Sequence, residues 1–468
     1  MTRHVTKRIA LVSANNCRIP YPVYPLGISY LVSYLSLHLP DYEVKVFDFN
    51  RGDYAAFADF LDRHEFDLVG LSLRNFDDST HVYDANIFIA HYREIMQVAR
   101  AHTQAPIVIG GSGFSVFPEL LFQELNPDYA VKGEGEAALK ELIVALAGGI
   151  DPARAGIDRL TCRRSNAVDN TVPEACPERG IRNTNYISSP VLHVENDWAE
   201  YYWKTSGMLN IQTKRGCPYR CIFCSYPLVD GRTVRTLDAK MVVGNIEELY
   251  FAKGISYLFF TDSIFNIHRE YNEELARRLI ESKADIRWGA YFAPHNLTFD
   301  DLKLYQQSGL THVEFGSDSL SDSQLEHYNK NFRFADIREQ SMYCGNLGIF
   351  FAHFLILGGY GETDRTLDET FEHSKELGLT VYFPYIGMRV YPDTQLCDIA
   401  LREGLIQSPR ELIHPVYYLS KEIDPATIVP RARATGQRWI LADDEQSPMM
   451  DLLRKRGKKG PLWEFLRY

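Results

Sequence analysis

Runs of consecutive apolar residues alternate along the chain with longer stretches in which apolar positions recur at helical spacing. Arg8–Ser13, Val44–Asp48, Leu68–Leu73, Ile107–Gly111 and Tyr129–Lys132 form such runs, the pattern of strands buried on both faces. Between them, Leu26–Leu37, Tyr54–His64 and Ile87–His102 carry the spacing of amphipathic helices. Buried strands joined by crossover helices predict a doubly wound parallel α/β sheet over residues 1–150, closed by Gly148-Gly149. Sheets of this kind take ligands outside the carboxyl ends of their strands, here the loops Asn15–Pro25, Arg74–Asp78, Gly110–Phe114 and Gly133–Glu136. Gly111-Ser112-Gly113 alone does not complete a dinucleotide fingerprint.

Residues 151–204 are rich in Arg, Asn, Asp and Pro and lack sustained periodicity, which predicts a linker with short strands. Tyr201-Tyr202-Trp203 near its end is an aromatic cluster suited to packing between domains. Alternation then resumes over 205–395, with strands predicted at Leu209–Thr213, Tyr257–Thr261, Ile286–Tyr291, Thr311–Gly316, Phe350–Leu357 and Thr380–Val390. Helices are predicted at Asp238–Ala252, Glu270–Lys283, Phe299–Gln307, Asp336–Leu347 and Asp364–Leu377. These units are too few to close an eight-stranded barrel. Residues 396–468, with Tyr417-Tyr418, Trp439 and Trp463, are read as a helical and irregular cap over the barrel mouth that shapes a pocket.

The chemistry is concentrated in Lys214-Arg215-Gly216-Cys217-Pro218-Tyr219-Arg220-Cys221-Ile222-Phe223-Cys224, which follows the first strand of the second array. Cys217, Cys221 and Cys224 offer three thiolates at short range, enough for a 4Fe-4S cluster with one iron left open. Structural zinc is the first alternative, but it asks for four closely grouped ligands, and His193 and His268 are distant in sequence. A disulfide fits poorly in a chain without a secretory signal.

This loop, with Phe223 before its last cysteine, resembles the signature loop of the radical S-adenosylmethionine enzymes. The resemblance implies a partial barrel of six β/α units. It also implies that the open iron chelates S-adenosyl-L-methionine, whose reductive cleavage gives a 5′-deoxyadenosyl radical. Further positions match the family's grip on this cosubstrate. Asp262, in Thr261-Asp262-Ser263, stands where a polar residue meets the methionine amino group. Asp318 and Ser319, in Gly316-Ser317-Asp318-Ser319, stand where side chains meet the ribose or carboxylate. Ile356, Gly358 and Glu362, in Leu355–Thr363, resemble the motif that lines the adenine. Asp at a strand end is also a common helix cap. Lys214 and Arg215 are expected to neutralise the cluster and the cosubstrate carboxylate.

The first 150 residues resemble the Rossmann-like cobalamin-binding domain that precedes many radical S-adenosylmethionine domains. The resembling residues are Pro25-Leu26-Gly27, Ser72, Gly110-Gly111 and Gly133-Glu134-Gly135-Glu136, and the implied corrinoid contacts are Asn15, Ser72, Arg74, Gly110, Gly111 and Gly133. The Asp-x-His-x-x-Gly motif that supplies a cobalt-ligating histidine is absent, its place held by Asn15–Pro20. Arg389–Leu396 and Ala400–Ile406 resemble the sixth-strand exit of the cobalamin-associated group, so that the resemblance spans residues 8–405.

Composition narrows the functional classes. A net charge of −11 argues against a general nucleic-acid binder. The Arg454–Lys459 basic run is read as a solvated turn. No eighteen-residue apolar run or signal peptide is present, and Cys17, Cys162, Cys176, Cys344 and Cys397 are scattered, as in a reducing compartment. These features predict a soluble, cytoplasmic enzyme. The resemblance implies a C-methyltransferase acting on an unactivated carbon of a small-molecule or lipid-like substrate, reduced by a partner such as flavodoxin or ferredoxin. Its rivals are a radical cyclase or rearrangement enzyme without net methyl transfer, and a radical enzyme whose first domain no longer binds cobalamin. A transfer-RNA methylthiotransferase would need a second cysteine triad, whereas the first domain has only Cys17. A non-catalytic corrinoid carrier would not need the cysteine loop.

Overall fold

The computed structural model describes residues 7–18, 21–77, 87–162, 174–175, 196–441 and 447–466. The predicted features at Met1–Thr6, Ile19, Pro20, Asp78, Cys176 and His193 lie outside the described residues. Strands β1 (Lys7–Ser13), β2 (Tyr42–Asp48), β3 (Leu68–Ser72), β4 (Ile107–Gly110) and β5 (Tyr129–Val131) are parallel, in the order β2-β1-β3-β4-β5. Successive side chains of a strand face opposite ways. Ile9 and Leu11 therefore pack with Ile28, Leu35 and Leu142 of the helices Leu26–His38 and Glu136–Ala147. Ala10 and Val12 join the core with Phe57, Ile95 and Leu121 from the helices on the opposite face. With both faces covered, the apolar runs of the sequence are accounted for.

The sheet is longer than its parallel part. β6 (Leu160–Cys162) pairs antiparallel with β5, and β7 (Glu174–Ala175) antiparallel with β6. These short strands were expected in a linker, yet they extend the first sheet.

The second sheet begins at β8 (Leu209–Ile211). A two-strand antiparallel pair follows, β9 (Lys214–Arg215) with β10 (Arg235–Thr236). Then come β11 (Tyr257–Phe260), β12 (Arg287–Phe292), β13 (Leu310–Asp318), β14 (Phe350–Leu357) and β15 (Val381–Ile386). β8 and β11–β15 are parallel and adjacent in chain order, an open array of six strands. The intervening helices start where the sequence places capping residues: Asp238 accepts from Met241 N, and Thr298 and Thr363 each make capping boxes.

The C-terminal stretch goes to two places, one of them the mouth where a cap was expected. β16 (Met388–Arg389) pairs antiparallel with β17 (Tyr417–Tyr418) near the carboxyl end of the barrel. Trp463 and Leu466 instead pack on Ala352 and Val381 at the amino-terminal starts of β14 and β15. Trp439 stacks on Tyr382 outside the barrel, with ring centroids 4.6 Å apart. The tail thus floors the barrel.

Polar contacts join the two sheets. Tyr202 donates to Asp48 Oδ2 at 2.7 Å and Tyr201 to the Asn50 carbonyl at 2.9 Å, the bridging role expected of this aromatic cluster. Arg389 Nε meets Asp77 Oδ2 at 2.9 Å with both side chains buried, and its remaining nitrogens donate to the carbonyls of Val390 and Leu412. Removing one member of a buried pair strands the other's charge. Asp77→Ala should therefore destabilise the protein by about 3–5 kcal/mol in chemical denaturation. The Asp77→Leu, Arg389→Met double variant should recover most of that loss.

Candidate functional site

The cysteine loop leaves the carboxyl end of β8 and is fixed at its base. β9 and β10 close it as a hairpin, and Gly216 adopts a φ of 94° with the Thr233 carbonyl where a Cβ would stand. Asn329 Nδ2 donates to the Arg220 carbonyl at 2.7 Å, and Ile222 N to the Tyr328 carbonyl at 3.3 Å. Cys217 is buried and Cys221 and Cys224 are half-buried. The thiols are close enough to influence one another electrostatically, and burial pushes Cys224 up to about 12. Among the described residues, no three His, Cys, Asp or Glu side chains are grouped tightly enough to hold an ion as they stand. The donor set nevertheless fits a cluster that takes three thiolates and leaves one metal open: three thiols on one anchored loop, each needing to lose a proton on binding.

Several residues expected to grip S-adenosyl-L-methionine are engaged elsewhere. Asp262 is buried, and its oxygens accept from Thr213 N at 2.6 Å, Thr213 Oγ1 at 2.5 Å and Lys214 N at 2.9 Å, and pair with Lys214 Nζ at 2.9 Å. It clamps the start of the cysteine loop to the end of β11, leaving no oxygen for a methionine amino group. Ser319 is buried against Thr370 Oγ1 at 3.2 Å and accepts from Ser321 N, so it too faces the protein. Glu362 accepts from Gly358 N at 2.6 Å, and burial raises its pKa to about 7. It closes the turn after β14, where Gly358 has a φ of 78°. Ile356 is half-buried, and its carbonyl accepts from the Tyr328 hydroxyl at 3.0 Å. Asp318, also at positive φ, pairs with Lys330.

Lys330 was missed in the sequence, because Asn329-Lys330-Asn331 belongs to no motif. Burial works against its charge, but Asp318 and the Cys221 thiol hold its pKa above the ordinary lysine range. It places a cation beside Cys221, a role expected of Lys214 and Arg215. Those two point elsewhere: Lys214 inward to Asp262 and Asn272, Arg215 across to Glu136 Oε1 at 2.8 Å and Glu134 Oε2 at 3.4 Å. Arg235 completes the cross-sheet cluster on Glu134 at 2.5 Å.

A cavity of about 540 Å³ lies between the carboxyl ends of the two sheets. Asn15, Ser72, Arg74, Gly110, Gly111 and Gly133, the predicted corrinoid contacts, all line it. From the barrel side come Asn210, Gln212, Thr261 and, directly after Cys224, Ser225, Tyr226 and Asp230. Burial pushes Asp230 up to about 6. The walls fit a large ligand fringed with amides. Asn15 Nδ2 and the Tyr30 hydroxyl are enclosed donors without partners, and a Cβ on Gly27 would meet nothing within 4 Å. No histidine lines the cavity among the described residues.

Comparison with known proteins settles what this arrangement belongs to. Residues 211–373 match the model of the radical SAM superfamily, and residues 13–143 that of the B12 binding domain. The chain belongs to the radical SAM superfamily, with a B12 binding domain ahead of the barrel. The tryptophan 2-C-methyltransferase of Streptomyces laurentii is 26% identical to this radical SAM enzyme over 448 residues, covering 82% of the chain and 73% of its own length. An uncharacterized methyltransferase of Pyrococcus horikoshii is 25% identical over 390 residues, covering 82% and 79%. The structure of the radical S-adenosylmethionine methyltransferase TsrM from Kitasatospora setae, with cobalamin and a 4Fe-4S cluster bound, superposes with a TM-score of 0.84 at 23% identity. It covers 99% of this chain and 97% of that one, a likeness of fold. No helix among the described residues is long and apolar enough to cross a membrane.

The Asp262 geometry has a measurable consequence. Asp262→Ala removes the acceptor for two backbone N–H groups and leaves Lys214 buried without its counter-ion. Iron incorporation and thermal stability should fall together, and Asp262→Asn should restore part of both. A variant with full iron content and only a raised KM for S-adenosyl-L-methionine would place Asp262 on the cosubstrate instead.

Proposed function

We propose that this radical SAM enzyme is a cobalamin-dependent C-methyltransferase that modifies an unactivated carbon of a small molecule. The observation carrying the reading is the shared cavity, where the glycine-rich strand ends of the B12 binding domain face the residues that follow Cys224. Chemistry at both cofactors thereby opens on one space. Coverage favours methyl transfer over cyclisation: the tryptophan 2-C-methyltransferase matches 82% of this chain, whereas the anaerobic magnesium-protoporphyrin IX monomethyl ester cyclases match 58%, 56% and 50%.

In this reading Cys217, Cys221 and Cys224 hold the 4Fe-4S cluster, and the loops bearing Asn15, Ser72, Arg74, Gly110, Gly111 and Gly133 hold cobalamin. When bound, the cluster with S-adenosyl-L-methionine supplies one-electron chemistry, and cobalamin supplies a transferable methyl group. The chain's own residues position and enclose. Asp262 and Glu362 fix the turns that bear the cosubstrate's surroundings, and Lys330 sets a positive charge beside Cys221. The Arg215–Glu136 and Arg389–Asp77 pairs keep the two walls of the cavity in register. Asn15 Nδ2 and Tyr30 Oη offer hydrogen bonds to amide oxygens of the corrinoid rim. Electrons would come from a small reducing protein such as flavodoxin or ferredoxin.

Anaerobic reconstitution should give about four irons per chain, as three thiolates and sulfide build one cubane. Cys221→Ala should lose the charge-transfer absorbance and all cleavage of S-adenosyl-L-methionine, and cleavage by this variant would overturn the cluster assignment. Protein loaded with hydroxocobalamin should retain it through desalting. With no histidine in the cavity wall among the described residues, electron paramagnetic resonance of the cob(II) form should show no axial-nitrogen splitting that changes when the protein is labelled with 15N. Failure to retain any corrinoid would remove cobalamin, and methyl transfer with it.

A further inference from the structure

Inside the barrel, the Glu314 carboxylate stands near the aromatic rings of Phe259, Tyr291 and Phe354. Glu314 points inward from the middle of β13 and is 6% exposed. Trp463 Nε1 of the floor donates to its Oε1 at 2.9 Å, and no cation pairs with it among the described residues. Tyr291 lies beside it in register on β12. One layer nearer the carboxyl end, Gly316 lies beside Phe354 of β14, and a Cβ on Gly316 would meet nothing within 4 Å. Tyr385 of β15 stands a layer higher. Missing side-chain volume at Gly316 therefore leaves a recess directly above the carboxylate.

The recess is reachable. Tyr291 and Tyr385 at its wall are 37% and 40% exposed, and burial raises the pKa of both hydroxyls. The Tyr291 hydroxyl is close enough to both Glu314 and Tyr226, the residue two beyond Cys224, to be influenced by their charges. Burial without a counter-ion pushes Glu314 up to about 7. A ligand bearing a positive charge would relieve that cost, and ring faces beside the carboxylate add cation–π attraction.

We propose that this recess is the substrate site and that it takes an aromatic amine, its ammonium group on Glu314 and its ring against the exposed faces of Tyr291 and Tyr385. The proposal rests on the reading of the barrel as catalytic and names the substrate class for it. Trp463 holds one carboxylate oxygen and leaves the other for the ligand. The aromatic walls select a flat body over an aliphatic one by shape and edge-to-face contact.

Calorimetric titration of the full chain, reconstituted with iron and sulfide, tests the assignment with three probes: tryptamine, indole-3-propionate and 2-cyclohexylethylamine. Tryptamine should bind at least about tenfold tighter than the aromatic anion and the aliphatic cation. Glu314→Gln should weaken tryptamine by about tenfold or more while leaving the affinity for S-adenosyl-L-methionine and the retained hydroxocobalamin unchanged. Gly316→Val, whose Cβ would meet nothing within 4 Å, should abolish tryptamine binding in protein that melts at the wild-type temperature. Equal binding of the three probes would overturn the proposal, as would an unchanged affinity in Glu314→Gln or a parallel loss of S-adenosyl-L-methionine. Because corrinoid retention is read separately, failure of the cobalamin assignment would leave the tryptamine result interpretable.

Discussion

Lys214 and Arg215 are neighbours on a two-residue strand, and neighbours on a strand face opposite ways. Lys214 turns into its own barrel, onto Asp262 and over the rings of Phe265 and Tyr271. Arg215 turns outward to Glu134 and Glu136, and its guanidinium lies over Tyr30 of the other sheet. One dipeptide thus ties the cysteine loop to the barrel that supports it and to the domain it faces. Each ion pair is buried, so neither survives loss of one partner cheaply, and the distance between loop and cavity wall is set by covalent geometry.

The same economy explains why acidic residues at the strand ends are not where binding is expected. Backbone N–H groups at a strand exit need acceptors when water is excluded. Asp262 and Glu362 provide them, for Thr213 and Lys214 in one case and Gly358 in the other. A carboxylate at a strand exit can grip a cosubstrate or hold the turn that does so, and the two roles put the same residue at the same place in the sequence. Only the partners distinguish them.

Much of the fold was legible because its strands are buried on both faces and so read as unbroken apolar runs. The first sheet's share of the cavity wall was legible because ligands collect at carboxyl ends, which can be counted along the chain. A short strand was expected where β6 lies, but not its place in the first sheet, since three residues show no period and the antiparallel pairing with β5 is a tertiary fact. The partners of Arg215 escaped for a similar reason: Glu136 lies 79 residues away, and charge alone does not say which surface it meets. Lys330 and Trp463 stand in stretches without motif or repeat, and only the folded chain brings them to Cys221 and Glu314.

Trp463 follows every wall strand in the chain, though it closes the end of the barrel where those strands begin. A chain that stopped short of the 463–466 turn would leave His312 and Glu314 open to water at that end, without Trp463 on Glu314 and Glu464 against His312 Nε2 at 3.0 Å. The seal of the barrel's interior thus belongs to residues that come after all of its walls, so that a small C-terminal truncation would open the end opposite the cysteine loop.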